Sequence, residues 1–181
     1  MDPFQTLGLP RRFGLDLKLA EGRHLELSKA LHPDRYAGAP ANERRMALSR
    51  AVEVNEAWRA VRDPIKRAEA LLKLSGLESE VGETREPKPS GAFLMEVMEA
   101  REQLDEAKAS RDVARVDGVV RDAKAQFAES ERALAESIDP VLEKGGDVAQ
   151  LRAAIPLLGR LRYAARFLSE ARNAEDDLAG I

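Results

Sequence analysis

The sequence contains no cysteine, two histidines and few aromatic residues, and charged residues interrupt every apolar stretch. The lack of cysteine excludes a disulfide, a thiolate metal site and a cysteine nucleophile. Aromatic residues make up 4% of the chain, which leaves little for base stacking against a nucleic acid. The short apolar runs predict neither a membrane span nor a signal peptide. These absences favour a cytoplasmic protein with no membrane or nucleic-acid partner.

Chemistry carried by the protein itself is not expected either. The sequence has no glycine-rich phosphate loop, no nucleophile beside a base and no metal-ligand spacing. The carboxylates between Glu96 and Glu106 suggest a di-metal site at first sight, but such a site needs Glu-x-x-His pairs on facing helices. Both histidines, His24 and His32, lie in the first half of the chain. We therefore expect no metal, no cofactor and no catalytic residue, and the acidic stretch is interpreted as a solvated face.

The composition predicts an all-α protein. The 181 residues are 34% charged and rich in Ala, Leu, Glu and Arg, which are good helix formers. Residues 1–76 carry 14 Lys and Arg against 10 Asp and Glu, whereas residues 77–181 carry 15 against 22. This asymmetry indicates two modules with different partners. We predict a first module of short helices over residues 1–74, a linker over 75–91 and a three-helix bundle over 92–181, because Gly76, Gly82, Pro87, Pro89 and Gly91 punctuate the intervening stretch.

The tripeptide His32-Pro33-Asp34 is the most informative motif of the first module. An amphipathic helix capped by Asp16 must end near Leu31, because proline has no amide hydrogen and pushes the residue before it out of the α region. The tripeptide is therefore predicted on an exposed loop. Basic residues lie on the preceding helix and just after the motif: Lys18, Arg23, Lys29 and Arg35.

A second long helix is predicted from Ala41 or Asn42 to Asp63, where Pro64 begins a short third helix. The two long helices would pair antiparallel across a small core. Trp58 lies on the apolar stripe and is interpreted as a core residue. His24 also lies on an apolar stripe and is interpreted as a half-buried packing residue.

The first helix of the second module carries two apolar faces. Phe93, Val97, Ala100, Leu104 and Ala107 form one stripe that should face a bundle core. Leu94, Met95 and Met98 lie roughly 100 to 200° away, beside Glu99 and Glu102. This second face is either a partner surface, which methionines suit, or a face covered by the bundle itself.

Two longer helices complete the predicted bundle. The first carries apolar residues from Val116 to Val141 and ends near Gly145-Gly146. Asp147 can cap the next, in which Pro156 marks a kink or a late start. Tyr163 lies about 120° off the apolar stripe of this last helix and is predicted to be exposed.

The order of these motifs resembles that of a J domain followed by the second domain of the HscB family, the J-type co-chaperones of iron-sulfur cluster assembly. The matching residues of the first module are Phe4, Gly8-Leu9-Pro10, His32-Pro33-Asp34, Asn55, Ala57-Trp58, Asp63-Pro64, Arg67-Ala68 and Leu71-Leu72. Those of the second are Ala92-Phe93-Leu94-Met95-Glu96, Arg101-Glu102 and Leu104-Asp105-Glu106. The chain departs from the family at Met98, where leucine is usual, at Tyr163, where phenylalanine is usual, and at Pro3, where tyrosine is common.

The resemblance implies a role for each surface. The tripeptide and the neighbouring basic residues would engage the ATPase domain of an HscA/DnaK-like heat-shock chaperone of seventy kilodaltons, with Asp34 indispensable. Leu94, Met95, Met98, Glu99, Glu102 and Tyr163 would bind the IscU-type scaffold on which iron-sulfur clusters are built. The resemblance further implies a monomer of the bacterial form, without the zinc-binding N-terminal extension of eukaryotic relatives.

Two other functional classes stay open at this point. A general J protein would deliver unfolded clients through the apolar face of the second module. A helical nucleic-acid-binding protein would use the basic residues of the first helix pair, although the acidic balance and the scarcity of aromatic residues disfavour it.

Overall fold

The computed structural model describes residues 1–82 and 91–180. Within these ranges the chain forms α-helices and turns with no strand, so the predicted all-α class is confirmed. No helix in the two ranges is long and apolar enough to cross a lipid bilayer. The helices are α1 (Pro3–Leu7), α2 (Leu17–Ala30), α3 (Ala41–Arg62), α4 (Pro64–Leu72), α5 (Gly91–Ala109), α6 (Val113–Glu143), α7 (Val148–Leu151) and α8 (Ala154–Ala179).

Helices α2 and α3 form the predicted hairpin. The Asp16 carboxylate caps α2 by accepting the amides of Lys18 and Leu19 at 2.9 and 3.1 Å. The helix ends at Ala30, three residues before Pro33, as the missing proline amide requires. The predicted loop contains one turn of 3₁₀ helix, over Pro33–Tyr36, which the propensity of its turn-forming residues did not indicate.

The chain does not leave the first module as soon as α4 ends. Lys73–Leu77 continues as a π-helical segment in which Gly76 has φ 92°, a left-handed conformation that favours glycine. Leu77 and Val81 are both buried, so this part of the predicted linker lies against the core. Residues 83–90, including Pro87 and Pro89, lie outside the described residues. The division of the chain at residues 74 and 92 stays a prediction.

Helices α5, α6 and α8 form the three-helix bundle. The stripe predicted on α5 is confirmed for Phe93, Val97, Leu104 and Ala107, which are all buried. Helix α6 ends just before Gly145 and Gly146, both of which have positive φ. Pro156 lies in the first turn of α8, where the lack of an amide hydrogen costs nothing, so the late start is the correct alternative.

The two modules share one hydrophobic core. A single cluster of buried side chains joins residues of α1, α3 and α4 to residues of α6 and α8. Leu134 and Ile138 of α6 are fully buried in this cluster, as is Leu72 of α4. A second cluster holds the far end of the bundle, and Phe127 borders both. Since apolar burial stabilises by roughly 25 cal/mol per Å², this continuous core couples the modules energetically.

Candidate partner-binding surfaces

The tip of the α2–α3 hairpin presents the tripeptide to solvent. The Asp34 side chain is 89% exposed and the His32 side chain 59% exposed. His32 Nδ1 accepts the Asp34 amide at 3.4 Å, a long bond that helps to cap the 3₁₀ turn. Oδ2 of Asp34 also lies 3.4 Å from His32 Nδ1, and the carboxylate is otherwise displayed to solvent, where a partner can reach it.

The basic residues beside the tip do not all share one face. Lys18 and Lys29 are eleven positions apart, so they lie within about 20° of each other around α2, whereas Arg23 lies about 120 to 140° from both. Arg23 also pairs with Glu26 on its own helix, at 3.2 Å. Arg35 lies on the 3₁₀ turn and is exposed. Lys18 and Lys29 form one basic face of the helix, to which Arg23 does not belong.

Helix α5 exposes the second apolar face that its sequence carries. Leu94, Met95 and Met98 are 36, 64 and 69% exposed, while Phe93 on the opposite face is buried. The bundle therefore covers only one side of α5, and the alternative of a helix wrapped on both sides is wrong. Exposed apolar side chains that form a patch rimmed by polar residues commonly mark a partner surface.

Charged residues flank this apolar face. Glu99 and Glu102 are exposed on the same helix. Arg101 of α5 pairs with Glu170 of α8, and its Nε lies 3.1 Å from a carboxylate oxygen of Glu170. The apolar face of α5 is thus bordered by carboxylates, and the flanking arginine is engaged within the bundle.

Tyr163 is half-buried, so the expectation of an exposed aromatic is corrected. The rings of Tyr163 and Phe93 form a T-shaped pair, with centroids 5.9 Å apart and planes 84° apart. The guanidinium of Arg160 lies 4.8 Å from the Phe93 centroid on α5. Helical periodicity placed Tyr163 off the core stripe of α8 correctly, but it did not show that α5 crosses there.

Buried charges between the modules were missed by sequence reasoning. Arg67 of α4 is only 4% exposed, donates to the Val61 carbonyl at 2.8 Å and lies 3.8 Å from Glu131 of α6. Burial lowers the pKa of Arg67, although nearby carboxylates oppose this shift. Burial likewise raises the pKa of Glu131, and Arg67 opposes it. The one signal in the sequence was an arginine among the apolar residues of a short amphipathic helix.

Asp139 of α6 was also missed. It is buried, and its carboxylate accepts the backbone amides of Phe13 and Gly14, which belong to the loop between α1 and α2. An acidic residue next to the core stripe of a helix, followed at once by Pro140, was the available signal. The described ranges contain no group of three or more metal-ligating side chains, so nothing in them suggests a metal centre.

Comparison with known proteins agrees with the geometry. Residues 90–172 match the family model of the HSCB C-terminal oligomerisation domain. The structure is similar to that of the chaperone HscB from Vibrio cholerae, with a TM-score of 0.79 and 30% sequence identity over 98% of this chain and 99% of that chain. It also has the fold of the human co-chaperone protein HscB, with a TM-score of 0.79 at 24% identity over 96% of this chain and 81% of that chain.

These matches extend over both modules. The family model covers the bundle, and the similarity to the Vibrio cholerae chaperone runs through the hairpin with the tripeptide as well. With 30% identity over almost the whole length of both chains, the protein belongs to the HscB family.

Proposed function

We propose that the protein is a co-chaperone that stimulates the ATPase of an HscA/DnaK-like chaperone and delivers an IscU-type iron-sulfur scaffold to it. The observation that carries the proposal is the pair of exposed surfaces on different modules. One is the acidic tip of the α2–α3 hairpin, and the other is the apolar face of α5. Membership of the HscB family supports assigning the chaperone to the first surface and the scaffold to the second.

The chaperone half of the proposal depends on Asp34. A carboxylate that is 89% exposed on a short turn can accept charge-assisted hydrogen bonds from a partner's arginine. Lys18 and Lys29 on one face of α2 would be attracted to an acidic surface of the chaperone, which sets the orientation of the encounter. Stimulation follows if the tip binds the hydrolysis-competent arrangement of the chaperone more tightly than its resting arrangement.

The scaffold half depends on Leu94, Met95 and Met98. These three side chains would lose contact with water when a folded partner packs on α5, and the flexible methionines can adjust to its shape. Glu99 and Glu102 at the edge would favour a partner with basic residues around an apolar patch. An apolar face with a charged border on one helix supports a folded scaffold as the cargo in preference to unfolded clients.

Holding both partners on one chain is the proposed mechanism. The protein would take no part in covalent chemistry and would act as a monomer that brings the scaffold close to the chaperone. Joining the two binding events raises the effective concentration of the scaffold at the chaperone, typically to the millimolar range for a short connection. The chaperone would then act on a scaffold that is already in place.

The decisive experiment measures steady-state ATP turnover by the cognate chaperone with this protein and the scaffold, added separately and together. The proposal expects stimulation by the protein alone and a larger, synergistic stimulation by both. Stimulation without synergy, combined with binding of many denatured proteins, would favour the general J protein instead. A binding titration also distinguishes the two functions, because the proposed co-chaperone should bind the folded scaffold with one defined stoichiometry and a general J protein should not.

A further inference from the structure

The carboxylate of Asp139 joins the two modules through backbone hydrogen bonds. Oδ1 accepts the amide of Phe13 at 2.5 Å, and Oδ2 accepts the amide of Gly14 at 2.9 Å. These partners lie 126 and 125 positions away in the sequence. Arg12 adds a longer ionic contact, with Nε 3.7 Å from Oδ2. One short side chain on α6 thus accepts hydrogen bonds from two consecutive backbone amides in the loop that precedes α2.

Helix α4 also contacts this loop. The guanidinium of Arg67 lies 4.6 Å from the centroid of the Phe13 ring, within the range of a cation–π contact. Phe13 is 2% exposed and belongs to the shared hydrophobic cluster. The Phe13–Gly14 segment therefore contacts both a carboxylate of α6 and a cation of α4.

Apolar contacts and hydrogen bonds have different roles at the interface between the modules. Apolar burial is not directional, so it holds the modules together without selecting one angle between them. A buried carboxylate must keep its donors, because a lost partner leaves an unsatisfied charge. Only an arrangement that brings both amides to Asp139 meets this requirement, so the hydrogen bonds can select the angle.

The other polar contacts between the modules are less able to do this. Arg67 lies 3.8 Å from Glu131, but the Glu131 side chain is 34% exposed, and both side chains are long and can follow a shift of the helices. Arg152 and Glu80 pair at 2.7 and 2.8 Å, but both are substantially exposed, and exposed pairs contribute little. Arg162 and Glu69 are less exposed, but both side chains are long and can follow a shift of the helices. Asp139 is short, is buried and binds backbone, so it tolerates the least movement.

We propose that Asp139 is a positioning residue that fixes the α2–α3 hairpin and helix α5 at one orientation. The inference rests on the proposed function and adds a requirement to it: the adaptor works as a rigid spacer. Effective concentration is greatest when a connection matches the span between two sites and falls when it cannot hold them there. Weakening the hydrogen bonds of Asp139 to Phe13 and Gly14 should therefore weaken delivery of the scaffold while leaving each separate binding surface intact.

The first arm of the test measures the orientation directly in the full chain. Because the sequence has no cysteine, Arg50→Cys on α3 and Gln103→Cys on α5 create two unique sites for spin labels. Pulsed electron paramagnetic resonance then gives the distribution of distances between the modules. Asp139→Asn replaces one acceptor oxygen by a donor, so one of the two amides loses its partner. We expect a narrow distribution in the unaltered background and a broader one with Asp139→Asn.

Gly14→Ala perturbs the same contact at the residue that donates the hydrogen bond. This variant tests the positioning role if Asp139→Asn fails to fold. An added Cβ at Gly14 lies 3.0 Å from Oδ2 of Asp139, so the contact must open by a few tenths of an ångström. Gly22→Ala on α2 is the matched control, because a Cβ there meets nothing within 4 Å. We expect Gly14→Ala to broaden or shift the distribution and Gly22→Ala to leave it unchanged.

The second arm measures ATP turnover by the chaperone with the same variants. Asp139→Asn and Gly14→Ala should keep stimulation without scaffold and should keep scaffold affinity, but lose the synergy of the two by about tenfold. An unchanged distance distribution in both variants overturns the positioning role. A broadened distribution with full synergy overturns the rigid-spacer requirement. Absence of synergy in the unaltered protein overturns the proposed function, while the distance arm still decides the role of Asp139.

Discussion

The imidazole of His24 lies parallel to the indole of Trp58, with ring centroids 5.3 Å apart and planes 12° apart. The stack joins the middle of α2 to the last turns of α3. His24 Nε2 also lies 3.0 Å from Oδ1 of Asn55 and 3.2 Å from the Ser28 hydroxyl. Both rings are half-buried, so the packing role predicted for His24 is confirmed and Trp58 is less enclosed than its apolar stripe implied. The tip that carries Asp34 therefore extends from two helices that are joined by a ring stack and a side-chain hydrogen bond.

Asp34→Asn should leave the fold intact and abolish ATPase stimulation. The Asp34 side chain is 89% exposed and packs against no core residue, so we expect less than about 0.5 kcal/mol change in unfolding free energy. The charge that a partner's arginine would recognise is lost, because the amide is neutral. Urea unfolding, monitored by Trp58 fluorescence, tests whether the fold is intact. ATP turnover by the chaperone tests whether stimulation is lost.

Glu56→Gln is the matched control for that substitution. Glu56 is also an exposed carboxylate of the first module, on α3 and away from the tip. It should change neither stability nor stimulation. Equal loss of stimulation in both variants would mean that net charge, and not the position of Asp34, governs the interaction.

The apolar face of α5 should control scaffold binding without affecting the chaperone. Replacing Leu94, Met95 and Met98 together by Ala removes the exposed apolar surface and should weaken scaffold binding by about 3 kcal/mol, since each buried CH₂ contributes about 0.8 kcal/mol and association recovers only part of it. Stimulation of the chaperone in the absence of scaffold should persist. Titration calorimetry with the folded scaffold measures the first effect.

Val113→Ala with Val148→Ala is the control for the triple variant. Both valines are exposed in the second module, at 53 and 39%, but neither lies on α5. Scaffold affinity should stay the same with this pair. If the triple variant and the control pair bind the scaffold equally well, the face of α5 is not the binding surface.

Local signals account for what the sequence predicted well. Asp16 and Asp63 are recognisable as caps because the amides they accept lie two and three residues away. Proline at position 33 ends α2 by its own chemistry. The apolar face of α5 was visible in helical periodicity, but whether the bundle covered it depends on how three helices cross, which periodicity does not contain.

The contacts between the modules could not be predicted for the same reason. Asp139 and its partners are more than a hundred residues apart, and no local pattern pairs them. The sequence of Leu77 and Val81 reads as part of a loop rich in glycine and charge, yet both side chains are buried in the shared core. Charge asymmetry predicted two modules but carried no information on how tightly they pack.

Leu134→Ala should destabilise both modules together. Leu134 lies on α6 of the bundle and is fully buried in the cluster that includes Leu72 of α4. A large-to-small change at such a site costs about 3 kcal/mol. Trp58 is the only tryptophan and lies in the first module, so its fluorescence should report the lower urea midpoint although the substitution is in the bundle.

Val148→Ala serves as the exposed control for Leu134→Ala. It should shift the urea midpoint little, because Val148 is 39% exposed and outside the shared cluster. A Trp58 transition that Leu134→Ala leaves unmoved would mean that the first module unfolds independently, and the coupling inferred from the shared core would be wrong.

Glu69 of α4 should make the interface between the modules sensitive to acid. Burial acts to raise the pKa of Glu69, but hydrogen bonds from Arg162 and Lys73 outweigh it and hold the pKa below the ordinary value of 4.5. An acid whose pKa is lowered by folding stabilises the folded state above the unfolded pKa, and this contribution disappears as the pH falls through the folded pKa. Glu69→Gln should therefore lower the unfolding free energy by about 1 kcal/mol at pH 7, a modest value because the pair is partly exposed to solvent. Urea titrations of the variant and the unaltered protein should converge below pH 4.5, and a difference that persists undiminished in acid would assign the loss to packing instead of the ion pair.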